Sequence, residues 1–256
     1  MGEIEVRELA RHVVGIGMNR PPANYFDEDL IRSIADALDE IDRSPSARTV
    51  VLHSLTRHFC AGADLQGNTV ASPIDPQEGA SRLYAQALRL FGARTPIVAA
   101  VGGAAIGGGL GLAMVADFRV ASTRATFSAN FSRLGFFPGF GLTATLPRVI
   151  GLQNATRLFY TGERISGAQA LAIGLADQLA EEGGELNDAI SFAKDLAISS
   201  PRSISLLRQG FREGLLHAVE AALPRENAHQ VSLMTDPDFD EGIRAASERR
   251  APEFRD

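Results

Sequence analysis

Residues 3–9 and 13–18 alternate well enough, the second between larger apolar residues and glycine, to predict two short strands joined by a turn near Arg11 and His12. From Phe26 to Ile41 the period changes. Leu30, Ile34, Leu38 and Ile41 fall on one stripe, and Asp27, Glu28 and Asp29 crowd the start. That pattern predicts an amphipathic helix with acids at the positive end of its dipole. Thr49–Leu52 reads as a short buried strand, followed by Phe59-Cys60-Ala61-Gly62-Ala63-Asp64-Leu65 and a polar, Pro-containing loop at 66–76. Residues 78–93 read as a helix. Two strands follow later, Phe118–Ala121 and Ala125–Ser128, around a Ser-Thr-Arg turn. Beyond them helices are expected from about 140, 152 and 167, and over 185–199, 203–223 and 238–250.

The densest signal lies between Ile97 and Asp117. The run around Ile97, Val98 and Val101 reads as a buried strand, and Leu110–Val115 as a helix. Glycines stand between and within them at 102, 103, 107, 108, 109 and 111. Glycine is costly in backbone entropy, so its density calls for positive φ or for close approach to bare backbone. A helix opening there would aim unpaired N–H groups and a positive dipole end at whatever sits in front of it. The pattern suits an anion or a developing oxyanion.

Strand–turn–helix units recur without an exact repeat, and nothing marks a linker. The reading is an α/β fold with a mixed core over residues 1–195 and a purely helical C-terminal subdomain over 196–256. The 256 residues allow a substantial core, and a net charge of −6 argues against nucleic acid or an anionic membrane as the main partner. Cys60 is the only cysteine, which excludes an internal disulfide and suits a reducing, cytoplasmic setting. The N-terminal MGEIEVREL lacks the basic and apolar regions of a signal peptide. The apolar run 97–115 approaches membrane-spanning length, but its six glycines and the adjacent Asp117 favour a buried strand–turn–helix.

Several familiar sites are excluded. Position 112 is Leu, so the glycine run lacks the last glycine of a dinucleotide fingerprint, and it has no P-loop lysine. There is no GxSxG elbow and no HExxH, and the five histidines show no metal-ligand spacing, so no metal is expected.

Three blocks resemble the crotonase superfamily, the enoyl-CoA hydratase/isomerase family. They are HFCAGADL at 58–65, AAIGGGLGLAMVADFRVAS at 104–122, and LGFFPGFGLTATLPRVIG at 134–151 followed by TGERISGAQALAIGLAD at 161–177. MNRPPAN at 18–24 and EGIRAASERRAPEF at 241–254 fit as well, so the resemblance spans the chain. It implies a crotonase-like spiral of ββα units with a helical C-terminal trimerisation region, and a homotrimer or dimer of trimers. It also implies that an acyl-CoA thioester is bound with its carbonyl oxygen on the N–H groups of Ala63 and Gly108. No permanently bound cofactor is implied; coenzyme A arrives as part of the substrate. Read without the resemblance, the CAGAD segment is a tight turn and the glycine triplet a close strand–helix contact.

The resemblance also exposes a departure. Hydratases of the family carry one glutamate where this chain has Gly111 and a second where it has Phe131. A phenyl ring moves no proton, and Gly111 is read as leaving an empty slot. Further candidates for substrate contact are Arg20 and Arg249, read either as cations for coenzyme A or as exposed surface arginines, with Ala61, Asp64, Gln66 and Asn130 nearer the turn; Ser132 and Asn68 are additional polar side chains. Asp64 also has a structural reading, Cys60 is read as packing, and Arg133 and Glu163 as surface or turn residues. Phe127, Phe131, Phe136, Phe137 and Phe140 form either an acyl pocket or ordinary core. Three readings stay open: an acyl-CoA enzyme with an unconventional proton carrier, a weak hydratase or isomerase, and a non-catalytic acyl-CoA-binding homologue.

Overall fold

The computed structural model describes residues 3–25, 27–64 and 76–255. Strands β1 (Ile4–Ala10) and β2 (Val13–Met18) form an antiparallel hairpin, as the alternation predicts. Helix α1 (Glu28–Ile41) starts where Asp27 accepts the Leu30 N–H at 3.1 Å, and it buries the stripe Leu30, Ile34, Leu38 and Ile41. Beside β2 run three parallel strands, β3 (Thr49–Ser54), β4 (Ile97–Val101) and β6 (Phe118–Ser122). A last strand, β9 (Gln178–Ala180), completes a six-stranded sheet in the order β1-β2-β3-β4-β6-β9.

Because side chains alternate across a strand, each central strand feeds two cores. Val50, Leu52, Ile97 and Ala99 join the main core with the α1 stripe. Val51, Val98, Ala100 and Val120 face the other way, onto the alanines Ala189 and Ala193 of helix α6 (Glu185–Ile198).

A second sheet of three short strands, β5 (Ala104–Ile106), β7 (Thr126–Ser128) and β8 (Arg164–Ser166), lies beyond the ends of β4 and β6. The chain therefore repeats one unit: a strand in the large sheet, a short segment at the small sheet, then a helix. β3 leads to a Cys60–Ala105 bridge and helix α2 (Pro76–Gly92), and β4 leads to β5 and helix α3 (Gly108–Ala113). β6 leads to β7, a 3₁₀ turn at Ser132–Leu134 and helix α4 (Leu142–Thr161). The two strands expected around the Ser-Thr-Arg turn thus belong to different sheets.

The helices expected from 140 and 152 are the two halves of α4, separated where Gly151 leaves helical geometry at φ 76°. Helix α5 (Gly167–Ala172) opens with a Ser166/Gln169 capping box. The helix expected over 203–223 is longer: α7 runs Pro201–Leu233 straight through Pro224. Packing outweighs the hydrogen bond that proline removes, because Val219, Ala222, Leu223 and Glu226 are all buried. Near its start, Arg208 and Arg212 of α7 reach Asp117 at 2.8 and 2.9 Å. Helix α8 (Pro237–Glu248) packs against the Ser132–Leu134 turn. Among the described residues no helix is long and apolar enough to cross a membrane.

Candidate active site

The site begins with a staple that the sequence reading did not single out. Asn24, fully buried in the MNRPPAN turn, donates through Nδ2 to Ser54 Oγ (2.7 Å), Phe59 O (3.0 Å) and His58 O (3.2 Å). The Ala61 N–H donates to Ala23 O at 3.0 Å. These bonds hold the segment after β3 against the turn after β2. The only trace in the sequence was the asparagine that closes MNRPPAN.

From there the chain is laced to β5. Cys60 N–H donates to Ala104 O (2.9 Å), and Ile106 N–H donates to Cys60 O (3.1 Å). At the end of this ladder two turns nest. Gly62 sits at φ +82°; a Cβ there would lie 2.7 Å from Ile106 O and 3.4 Å from the Gly108 nitrogen. Gly107, at φ +55°, caps α3, and its N–H is fixed to Ser128 O at 2.9 Å. A Cβ on Gly109 would overlap the Cys60 carbonyl group. The glycine pattern thus has specific causes: positive φ at 62 and 107, and backbone contact at 109.

This nesting sets Gly62, the residue before Ala63, against the nitrogen of Gly108, the first residue of α3. Ala63 is exposed and Gly108 half-buried. Among the described residues neither N–H has an internal acceptor. Helix α3 opens inside the glycine triplet, at Gly108, rather than at Leu110 as the sequence suggested.

Two phenyl rings bracket that helical turn. The Phe131 ring lies 3.8 Å from where a Gly107 Cβ would stand, with Asn130 Oδ1 at 3.5 Å from the same point. On the other side the Phe140 ring occupies the space at Gly111, where a Cβ would come within 3.0 Å of Phe140 Cδ1. The expectation of an empty slot at Gly111 is therefore corrected: a neighbouring side chain fills it. Phe127, Phe131 and Phe140 are core residues. Phe136 packs on Phe239 and Phe137 on His229, with ring centroids 4.8 and 4.6 Å apart.

The remaining candidates scatter. Arg20 is held by Asp27 at 2.5 Å and by Glu3 at 3.4 Å, and the Asp27 bond raises the guanidinium pKa above its ordinary value. Arg249 is exposed at the C-cap of α8 with φ 56°. Ser132 Oγ donates to Tyr160 O, and Arg133 Nε to Thr161 O, both as turn contacts. Ala61 and Asp64 flank the Gly62 turn, both half-buried. Gln66 and Asn68 lie outside the described residues, as does the 66–75 part of the expected loop. Cys60 is fully buried, and burial pushes its thiol up to about 12, which suits packing and not nucleophilic attack.

Behind Phe140 stands a polar cluster absent from the sequence reading. Tyr84 Oη accepts the Phe140 N–H and donates to Gln230 Oε1 at 2.5 Å. Gln230 Nε2 donates to Phe137 O at 3.0 Å. Buried Glu226 accepts the N–H groups of Gly141 (2.8 Å) and Thr143 (2.9 Å), capping α4. Polar residues at interior positions of α7 were the available signal.

Nested glycine turns, ladder strands and a spiral of strand–strand–helix units define the crotonase fold class. The enoyl-CoA hydratase/isomerase family profile matches residues 8–256. A probable enoyl-CoA hydratase of Bacillus subtilis is 32% identical over 250 residues, covering 95% of each chain. Human mitochondrial methylglutaconyl-CoA hydratase is 29% identical over 99% of this chain and 77% of its own. Among solved structures, an enoyl-CoA hydratase/isomerase from Pseudoalteromonas atlantica superposes with a TM-score of 0.87 at 27% identity, covering 99% of this chain and all of the other. The chain belongs to the enoyl-CoA hydratase/isomerase family.

Proposed function

We propose that this protein binds an acyl-CoA thioester with its carbonyl oxygen on the N–H groups of Ala63 and Gly108, and stabilises the enolate that forms beside it. The observation that carries this reading is the nesting of the Gly62 and Gly107–Gly109 turns, together with family membership over nearly the whole chain. An enolate next to a thioester concentrates negative charge on oxygen. Fixed donors meet that charge without reorganising, and losing one donor typically costs about 10²–10³ in rate.

Gly111 and Phe131 stand where the resemblance puts the two hydratase glutamates. Each positioned acid or base contributes about 10²–10⁴, so hydration of a simple 2-enoyl-CoA is slow in this site. The proton carrier then comes from the 66–76 loop or from the substrate itself, and the reaction is of lyase or isomerase type. The filled space at Gly111 favours a second reading, a homologue that binds acyl-CoA without turning it over. A trimer or dimer of trimers fits the apolar side chains left exposed on α4 (Leu152, Tyr160) and α7 (Leu206, Leu207, Phe211). The cytoplasm is the compartment that fits the lone, buried cysteine.

The test is mass spectrometry of acetyl-, crotonyl-, long-chain and aromatic acyl-CoAs incubated with the protein in deuterated water. Deuterium at the α-carbon, or a product mass, supports enolate chemistry. Thioester binding without exchange or product supports the second reading, and no binding at all refutes both.

A further inference from the structure

Phe140 is the anomaly of the site. It sits at φ +60°, a region that suits glycine and that a bulky side chain enters only at a cost of about 1–3 kcal/mol. Its neighbours Gly139 and Gly141 are glycines, so the strain falls on the one residue of the three that carries a side chain. The turn is held from both sides. Tyr84 and Gln230 bind Phe140 N–H and Phe137 O, while Glu226 binds Gly141 and Thr143. The ring is driven into the main core against Phe91, at 6.3 Å between centroids, and onto Gly111.

The place it fills matters. Gly108 and Gly111 are three apart in α3 and so share a helix face. The space at Gly111 is thus one helical turn from the Gly108 donor. A strained backbone, a three-residue polar clamp and a complementary glycine together keep hydrocarbon at that point.

We propose that Phe140 is a specificity-determining residue of the thioester site: its ring takes the volume beside Gly111 and so limits the bulk of the acyl group. The inference rests on the acyl-CoA reading above and deepens it. It assigns the protein acyl groups that are slim next to the carbonyl, and it makes Phe140, with Tyr84 and Gln230 behind it, the element that sets the limit.

The test compares binding of acetyl-CoA, 3-methylcrotonyl-CoA and benzoyl-CoA by calorimetry for the wild type, Phe140→Gly and Phe140→Leu. Phe140→Gly should improve binding of the two bulky thioesters relative to acetyl-CoA by about tenfold or more, the scale of pocket discrimination by a few carbons. Phe140→Leu should move the ratio the same way by less, and it carries the test if the glycine variant does not fold. Independently of any ligand, Gly111→Leu should lower the melting temperature, and Phe140→Gly in the same chain should restore part of the loss. A wild type that binds thioesters, with unchanged ratios in both variants, overturns the role of Phe140 alone. A folded wild type that binds none of the three overturns the acyl-CoA reading and this inference with it. Full stability of Gly111→Leu beside an intact Phe140 would show that the ring does not hold that space.

Discussion

Gly109→Ala tests whether the two donor turns are held by direct backbone contact. The added methyl would stand 2.6 Å from the Cys60 carbonyl carbon and 3.0 Å from Cys60 Cβ, and closer still to the carbonyl oxygen. Carbon atoms pack at about 3.5–4.0 Å, so the α3 entrance and the Cys60 segment must part by roughly 1 Å. Neither side can yield by rotating a side chain, because both are main chain tied into the Cys60–Ala104 and Ile106–Cys60 bonds. Overpacking of this kind costs about 1–3 kcal/mol. In a chain of this size that lowers the melting temperature by about 2–12 °C. The effect on the site should be larger, since a displacement near 1 Å from reacting geometry costs about 10² in rate. The matched control is Gly102→Ala, in the same glycine-rich stretch. The atoms nearest its methyl all belong to the Glu185 side chain, which can swing aside. Thermal unfolding and α-deuterium exchange, measured on both variants, check the prediction. Wild-type stability and exchange in Gly109→Ala would refute the nested-turn geometry, as would equal losses in the two variants.

Removing the α4 cap by Glu226→Ala leaves the Gly141 and Thr143 donors unpaired in a buried site and should cost about 2–4 kcal/mol in chemical denaturation. Burial raises the Glu226 carboxyl above its ordinary 4.5, so the folded state holds its proton longer than the unfolded chain. That part of the stability is complete below about pH 4.5 and is lost as pH rises through the folded-state pKa. Glu226→Gln should flatten this slope, and an unchanged pH profile would count against it. Asp117→Ala strands Arg208 and Arg212, whose side chains are only 6% and 12% exposed. Breaking such a buried pair should cost about 3–5 kcal/mol, and a melting temperature within error of wild type would contradict it. Cys60 should resist iodoacetamide at pH 8 in the native protein and react fully in denaturant, because its thiol is buried and pushed up to about 12. Rapid native labelling would place the Cys60 turn in a looser arrangement.

Much of this fold was legible along the chain because its elements are written in local periods. The stripe Leu30–Ile41 and the acids before it specify α1 without reference to anything distant. The alternation in residues 3–18 likewise specifies the β1–β2 hairpin. The two glycine turns were legible for a related reason. Positive φ at Gly62 and Gly107 is a local demand that few residues other than glycine meet without strain, so it leaves a mark in the sequence. The continuation of α7 past Pro224 was not legible, since proline predicts an end and only the burial around Leu223 and Glu226 reverses it.

The sequence by itself determined the strands, most of the helices, the family motifs and the pair of glycine turns, because each depends on residues a few positions apart. Only the tertiary structure decided what surrounds those turns. Asn24 closes on Phe59 across 35 residues, and Glu226 caps α4 across 85. Phe140 enters the space at Gly111 from a turn that Tyr84 of α2 and Gln230 of α7 hold. Such contacts carry no period of their own. They arise when separately specified elements pack, and side-chain volume then settles which positions share a space.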